Sequence, residues 1–165
     1  MDILWSPWRY RYVTKENPTN GCVFCRISGN PEADKANLVL RRFSEVYVVL
    51  NRYPYTTAHL MVVPYVHVPS LRELSPACLS QMMHVAREAE IQLSEEYRPG
   101  GFNMGLNLGE CAGAGIAGHI HLHVLPRWSG DASFMTTIGE TRVLPEELGD
   151  TWRRLAPRFA TVQLP

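Results

Sequence analysis

No run of eighteen apolar residues occurs anywhere in this 165-residue chain, so no stretch qualifies as a membrane-spanning helix. The opening Met1-Asp2-Ile3-Leu4-Trp5-Ser6-Pro7-Trp8 lacks the basic start and apolar centre of a secretory signal, and a cytoplasmic protein with no membrane partner is expected. An excess of either charge is missing too. Sixteen basic and sixteen acidic side chains cancel, which argues against steering toward nucleic acid or anionic surfaces and leaves a small molecule as the natural partner. Internal repeats and low-complexity tracts are absent. Cysteine is scarce: of four, only Cys22 and Cys25 are closely spaced. In a reducing compartment such a pair is more often a metal or redox device than a disulfide. By itself it is half a site, since a structural zinc needs four ligands and two more must come from elsewhere. The alternative is two reduced, partly buried thiols or a redox pair, and nothing around them resembles a thioredoxin context. Cys78 and Cys111 receive no role.

What is present is ordinary in bulk and unusual in one place. Hydrophobic residues make up 45% and charged residues 19% of the chain, which suits one soluble domain spanning residues 1–165. The unusual place is His119-Ile120-His121-Leu122-His123-Val124-Leu125, which holds half of the six histidines. Strand periodicity puts Ile120, Leu122 and Val124 toward a core, and His119, His121 and His123 on the opposite, accessible face, about 6.6 Å apart in each pair. A single metal ion could use at most two of the three, because the outer pair stands about 13 Å apart in an extended strand. An imidazole is largely neutral at pH 7 and so can serve as a nucleophile or a proton donor.

The remaining pattern predicts a mainly antiparallel sheet. Residues 1–20 form an aromatic and basic arm ending in a turn at Asn17-Pro18-Thr19-Asn20-Gly21. Strands are expected over 37–42, 45–50, 59–63, 102–108 and 119–125, the last closed by Pro126, with the early ones growing as a meander. Ser75-Pro76 opens a long amphipathic helix, Ser as N-cap and Pro at the first position, stopped by Arg98-Pro99-Gly100-Gly101. Pro145 opens a shorter one in which Leu148, Trp152, Leu155 and Phe159 share a face. His84 falls off the long helix's apolar stripe and reads as solvated.

Gly113-Ala114-Gly115-Ile116-Ala117-Gly118 satisfies G-x-G-x-x-G literally, but a dinucleotide fingerprint follows a strand and opens a helix, whereas these glycines lead into a strand. The local physics survives that rejection. Glycines allow close approach of a ligand to the backbone, and successive N–H groups make an anion nest, with a phosphate beside His121 as the simplest guest.

The H-x-H-x-H run resembles the signature of the histidine triad hydrolases and transferases. Leu50-Asn51-Arg52-Tyr53-Pro54, His59-Leu60-Met61-Val62-Val63-Pro64 and the segment 103–109 fall in the order that family shows, so the resemblance covers about residues 22–130, with 131–165 as a C-terminal extension. Trp5-Ser6-Pro7-Trp8-Arg9, Cys22-Val23-Phe24-Cys25 and Pro126-Arg127-Trp128-Ser129-Gly130-Asp131 look like a bacterial branch similar to dinucleoside tetraphosphate phosphorylases. The resemblance implies an α+β fold with a five-stranded sheet, one long and one shorter helix, and a homodimer. It implies that His121 attacks the α-phosphorus of an adenine nucleotide to give a nucleotidyl-histidine, with His123 serving the leaving group and His119 completing the triad. Gly113 and Gly115 would belong to the phosphate-binding loop. Asn51 would bind ribose, Asn107 the phosphates or leaving group, and Phe24, Ile27 and His59 would surround the base. Each has a plainer reading: a turn residue for Asn51, core for Phe24 and Ile27, a satisfied strand-start histidine for His59. Triad proteins with this cysteine pair complete a zinc site with positions that map to His67 and His119. One departure stands out: many relatives carry a hydroxyl residue just before the first histidine, where this chain has Ile116, Ala117 and Gly118. Phosphorolysis of diadenosine tetraphosphate is the preferred activity. The alternatives are adenosine phosphoramidate or dinucleoside polyphosphate hydrolysis, and a zinc-stabilised nucleotide-binding module without turnover.

Overall fold

The computed structural model describes residues 21–138 and 143–164. The arm over 1–20, with its Trp5-Ser6-Pro7-Trp8-Arg9 motif, lies outside the described residues. Five strands, β1 (Val39–Arg42), β2 (Val46–Leu50), β3 (Leu60–Pro64), β4 (Gly101–Leu106) and β5 (Leu122–Arg127), pair antiparallel in one sheet of order β1-β2-β3-β5-β4. The helices are α1 (Val23–Ser28), the long α2 (Pro76–Tyr97), the single turn α3 (Phe134–Thr137) and α4 (Leu148–Ala160). This is the α+β architecture that the sequence pattern implies. The meander holds only through β3: the chain then crosses along α2 to the far edge, lays down β4, and returns so that β5 fills the gap between β3 and β4.

Every residue of β2 and β3 is buried, because both faces of the sheet are covered there. Such strands read as unbroken apolar runs rather than as alternation. Val46, Val48, Leu50, Leu60, Val62, Leu122 and Val124 meet Met82, Val85, Ala89 and Leu93 of α2 and Leu155 and Phe159 of α4 in the main core. On the other face Tyr47, Val49, Met61 and Val63 form a smaller cluster with Phe24 of α1, with Ile27 and Ile116 packed against it. The sheet therefore separates a structural side from a side that carries α1 and the histidines.

Local chemistry sets the ends of α2. Ser75 Oγ accepts the Cys78 N–H at 3.1 Å, Pro76 occupies the first turn, and Arg98 closes the helix in the left-handed conformation. Helix α4 starts at Leu148, three residues later than Pro145 suggested. The carboxylate of Glu146 accepts from the Tyr97 and Thr151 hydroxyls, which holds the preceding turn against α2. Strand β5 is also displaced, beginning at Leu122 and running through Pro126. Beyond the Val124–Leu60 pair β5 has only β4 as a neighbour, so one of its edges is free to take a residue without an N–H. Among the described residues no helix is long and apolar enough to cross a membrane.

Candidate active site

His119 and Ile120 precede β5 and run beside the loop after β3, where the Ile120 N–H donates to the Val68 carbonyl at 2.8 Å. The sequence pattern placed the three imidazoles on an accessible strand face. They are instead 0%, 6% and 8% exposed for His119, His121 and His123, because α1 and the glycine-rich loop close over that face. The Phe24 ring lies 5.3 Å from the His119 ring and 4.8 Å from the His121 ring, centroid to centroid.

The hydrogen-bond partners decide the tautomers. His121 Nδ1 is 2.9 Å from the His119 carbonyl, which can only accept, so Nδ1 carries the proton and Nε2 keeps its lone pair. His59 Nδ1 faces the Tyr55 N–H at 3.2 Å, which can only donate, so the proton of His59 sits on Nε2. His59 Nε2 lies 2.9 Å from His123 Nδ1, which then accepts and leaves the His123 proton on Nε2. The triad thus offers an unprotonated ring nitrogen on His121 and an N–H on His123, with the two rings 4.8 Å apart. Burial pushes the pKa of both imidazoles below the ordinary histidine value, that of His123 to about 4 with a smaller contribution from His121. Both are neutral at pH 7.

Of the glycines expected to cradle phosphate, Gly113 adopts the left-handed conformation (φ 86°) and its N–H is committed to the Glu110 carbonyl at 2.9 Å. Among the described residues the N–H groups of Gly115, Ile116, Ala117 and Gly118 donate to no backbone carbonyl. Asn107 stands just beyond β4, one position past the Leu106–Leu122 pair. Asn51 makes a turn, its Oδ1 accepting the Tyr53 N–H at 2.9 Å, and its Nδ2 also reaches His59 Nδ1 at 3.3 Å. The turn reading of that asparagine therefore holds. Phe24 is core and lines the triad, whereas Ile27 packs only at the margin of the smaller cluster. His84 is half-buried on α2 and Cys78 is buried.

On the other side of His119 a second constellation forms. The ligand atoms of Cys22, Cys25, His67 and His119 all lie within 4.8 Å of one another. His119 Nδ1 is 3.4 Å from Cys22 Sγ, 3.6 Å from Cys25 Sγ and 3.2 Å from His67 Nδ1, and Cys25 Sγ is 3.3 Å from His67 Nδ1. A tetrahedron with Zn–S bonds of about 2.3 Å and Zn–N bonds of about 2.0–2.1 Å has S···N edges of about 3.6 Å and N···N edges of about 3.3 Å. These contacts fit that outline. His119 Nε2 donates to the Pro64 carbonyl at 2.9 Å, which turns the Nδ1 lone pair toward the other three ligands, as in the outer shell of a metal-bound imidazole. Two thiolates would also neutralise a divalent cation, so the burial of His119 carries no net charge penalty. No disulfide joins the two cysteines. The four residues form a candidate metal site.

Residues 32–130 match the HIT domain. The chain belongs to the HIT family. It is 42% identical over 163 residues to the AP-4-A phosphorylase of Mycobacterium tuberculosis, a match covering 95% of this chain and 84% of that protein. It is 26% identical over 143 residues to Protein hit of Bacillus subtilis, covering 85% of this chain and 95% of that one. Among solved structures, a zinc-bound histidine triad family protein from Mycobacterium smegmatis superposes with a TM-score of 0.68 at 28% identity, covering 85% of this chain and 94% of that one.

Within this HIT chain two groups of residues escaped the sequence reading. Tyr55 supplies the N–H that orients His59, and its ring tilts against those of His59 and His123 at 4.9 and 6.2 Å. The signal available for it was an aromatic residue in the loop between Pro54 and His59. Arg42 and Tyr47, which grip α1, left none, because an arginine at the end of one strand and a tyrosine in the next read as ordinary sheet residues.

Proposed function

We propose that this protein is a nucleotidyltransferase of the diadenosine tetraphosphate phosphorylase type, acting through His121. The single observation that carries the reading is the tautomer of His121: its Nδ1–H is held by a carbonyl, so Nε2 keeps its lone pair for attack. The 42% identity to a phosphorylase of that name over 95% of the chain supports the substrate class.

In this reading Nε2 of His121 attacks the α-phosphorus, a P–N bond forms, and the P–O bond to the leaving polyphosphate breaks. His123 donates its Nε2–H as a hydrogen bond to the departing oxygen, and the N–H groups from Gly115 to Gly118 receive the charge on the phosphoryl oxygens. Those amides take the place of the hydroxyl that Ile116, Ala117 and Gly118 do not supply. Inorganic phosphate then attacks the adenylyl group, the P–N electron pair returns to His121, and ADP and ATP are the products. Asn51 serves the ribose, Asn107 the phosphates, and Phe24, Ile27 and His59 the nucleoside end of the pocket.

Cys22, Cys25, His67 and His119 hold a zinc ion whose role is structural, since four protein ligands leave no open position. A cytoplasmic location is part of the proposal, since a closely spaced cysteine pair kept available for a metal suits a reducing compartment. A homodimer is part of the proposal. Strand β4 lies at a sheet edge and exposes Met104, and Leu108 is exposed just beyond its end, a combination that an isolated monomer would leave open to association.

The deciding test is incubation with diadenosine tetraphosphate, with and without inorganic phosphate, followed by separation of products. ADP plus ATP formed only with phosphate is the expected result. AMP plus ATP would identify a hydrolase, and binding of AMP with no cleavage of any adenylate would identify a zinc-stabilised binding module.

A further inference from the structure

Helix α1 cannot hold itself in place. It has six residues, fewer than the roughly twelve an isolated helix needs in water, and its N-cap Cys22 makes no side-chain capping bond. Yet it carries Phe24, Cys25 and Ile27, so its position sets one wall of the triad pocket and part of the candidate metal site. The metal ligands restrain its first turn. Its carbonyls are gripped from the sheet, one near its start and two at its end. The Tyr47 hydroxyl donates to the Phe24 carbonyl at 3.0 Å. Arg42 Nη2 donates to the Ile27 carbonyl at 2.7 Å and Nη1 to the Ser28 carbonyl at 3.0 Å. The same guanidinium forks onto the Asp34 carboxylate, Nε to Oδ1 and Oδ2 at 3.1 and 2.9 Å and Nη2 to Oδ1 at 2.7 Å. It also lies over the Tyr47 ring, 5.6 Å from the centroid. A planar fork of five donors can serve two helix-end carbonyls and a carboxylate together, whereas an ammonium group cannot match that geometry.

We propose that Arg42 is a positioning residue for the nucleotide pocket and the metal site, acting through α1. Its grip on the Ile27 and Ser28 carbonyls sets how closely Phe24 approaches His121 and Cys25 approaches His67 and His119. Asp34 neutralises the arginine and fixes its plane, which turns two strand-end and loop residues into part of the site's outer shell. The proposal rests on the reading of the triad face as the nucleotide site. Arg42 touches none of the reacting atoms, so its loss is expected to weaken ground-state binding and leave turnover at saturation nearly intact.

The test compares the full-length holo-protein with its Arg42→Met, Arg42→Lys and Arg158→Ala variants. Arg158 is the control, because it is similarly committed to carboxylates, those of Glu95 and Glu96, on the opposite side of the sheet. Three quantities are measured: AMP affinity by titration calorimetry, the rate of zinc transfer to a chromogenic chelator, and kcat with diadenosine tetraphosphate. Arg42→Met is expected to weaken AMP binding about tenfold and to speed zinc loss by a similar factor, with kcat within about twofold of the parent. Arg42→Lys, which keeps the charge opposite Asp34 and so protects folding, is expected to show several-fold effects of the same sign. Arg158→Ala is expected to change none of the three. A folded Arg42→Lys protein with parental AMP affinity and zinc retention would overturn the proposal. So would Arg158→Ala reproducing the same shifts, because the effect would then be general loosening. If the parent itself takes up no AMP, the reading of the nucleotide site fails, while the zinc-transfer comparison still decides the role of Arg42.

Discussion

At the scale of single residues, His121 and His123 have the same side chain and opposite chemistry, because their Nδ1 atoms meet different partners. A carbonyl forces the His121 proton onto Nδ1, and the Tyr55–His59 relay drives the His123 proton onto Nε2. His121→Asn is therefore expected to abolish cleavage of diadenosine tetraphosphate while AMP binding stays within a few fold, measured by product chromatography and titration. Full activity in that variant would end the mechanism. The burial of His123 has a second consequence. Its folded-state pKa of about 4 lies below the unfolded value of about 6.5. Between these values the unfolded chain binds the extra proton, so stability falls as pH drops from about 6.5 toward 4, by up to about 3 kcal/mol for this group, and is level above 6.5. Urea midpoints measured between about pH 7 and pH 5 are expected to decline, with a shallower slope in His123→Asn.

At the scale of elements, α2 and α4 hold the sheet and α1 shapes the site, so damage to each is expected to read out differently. Leu155 of α4 is fully buried against the main core. Leu155→Ala is expected to cost about 2–5 kcal/mol in urea unfolding, as core truncations do, yet to leave AMP affinity unchanged in the folded protein. A fall in affinity at constant folding would mean that the two faces of the sheet are coupled. Element boundaries were legible where the signal was local. Ser75-Pro76 and Arg98-Pro99-Gly100 marked α2 because capping and left-handed termination are properties of a few adjacent residues. Pro126 misled, because whether proline can sit in a strand depends on which neighbouring strand is present on its N side, and that is a matter of topology.

At the scale of the whole molecule, the candidate metal site ties the start of α1 to the loop after β3 and to the residue that opens the triad. Protein purified without chelator is expected to hold about one zinc per chain by elemental analysis. Removing that metal with a strong chelator is expected to lower both the thermal midpoint and the AMP affinity, since ligands that bind only the folded state stabilise it by mass action. A metal-free preparation with parental values of both would refute the site.

The chain's own order of residues determined the α+β class, the long capped helix, the triad as the candidate chemical centre and, through a family resemblance, the candidate metal set Cys22, Cys25, His67 and His119. Those features depend on periodicity, short-range capping or motif chemistry, all carried by neighbouring residues. Only the tertiary structure decided that β5 enters the sheet between β3 and β4, that the histidine face is closed over by α1, and that Gly113 spends its N–H within its own turn. The polarity of the Tyr55–His59–His123 relay and the clamp of Arg42 on α1 belong to the same class. Each joins residues far apart in the chain, and the direction of a hydrogen bond is set by where the partner lies in space.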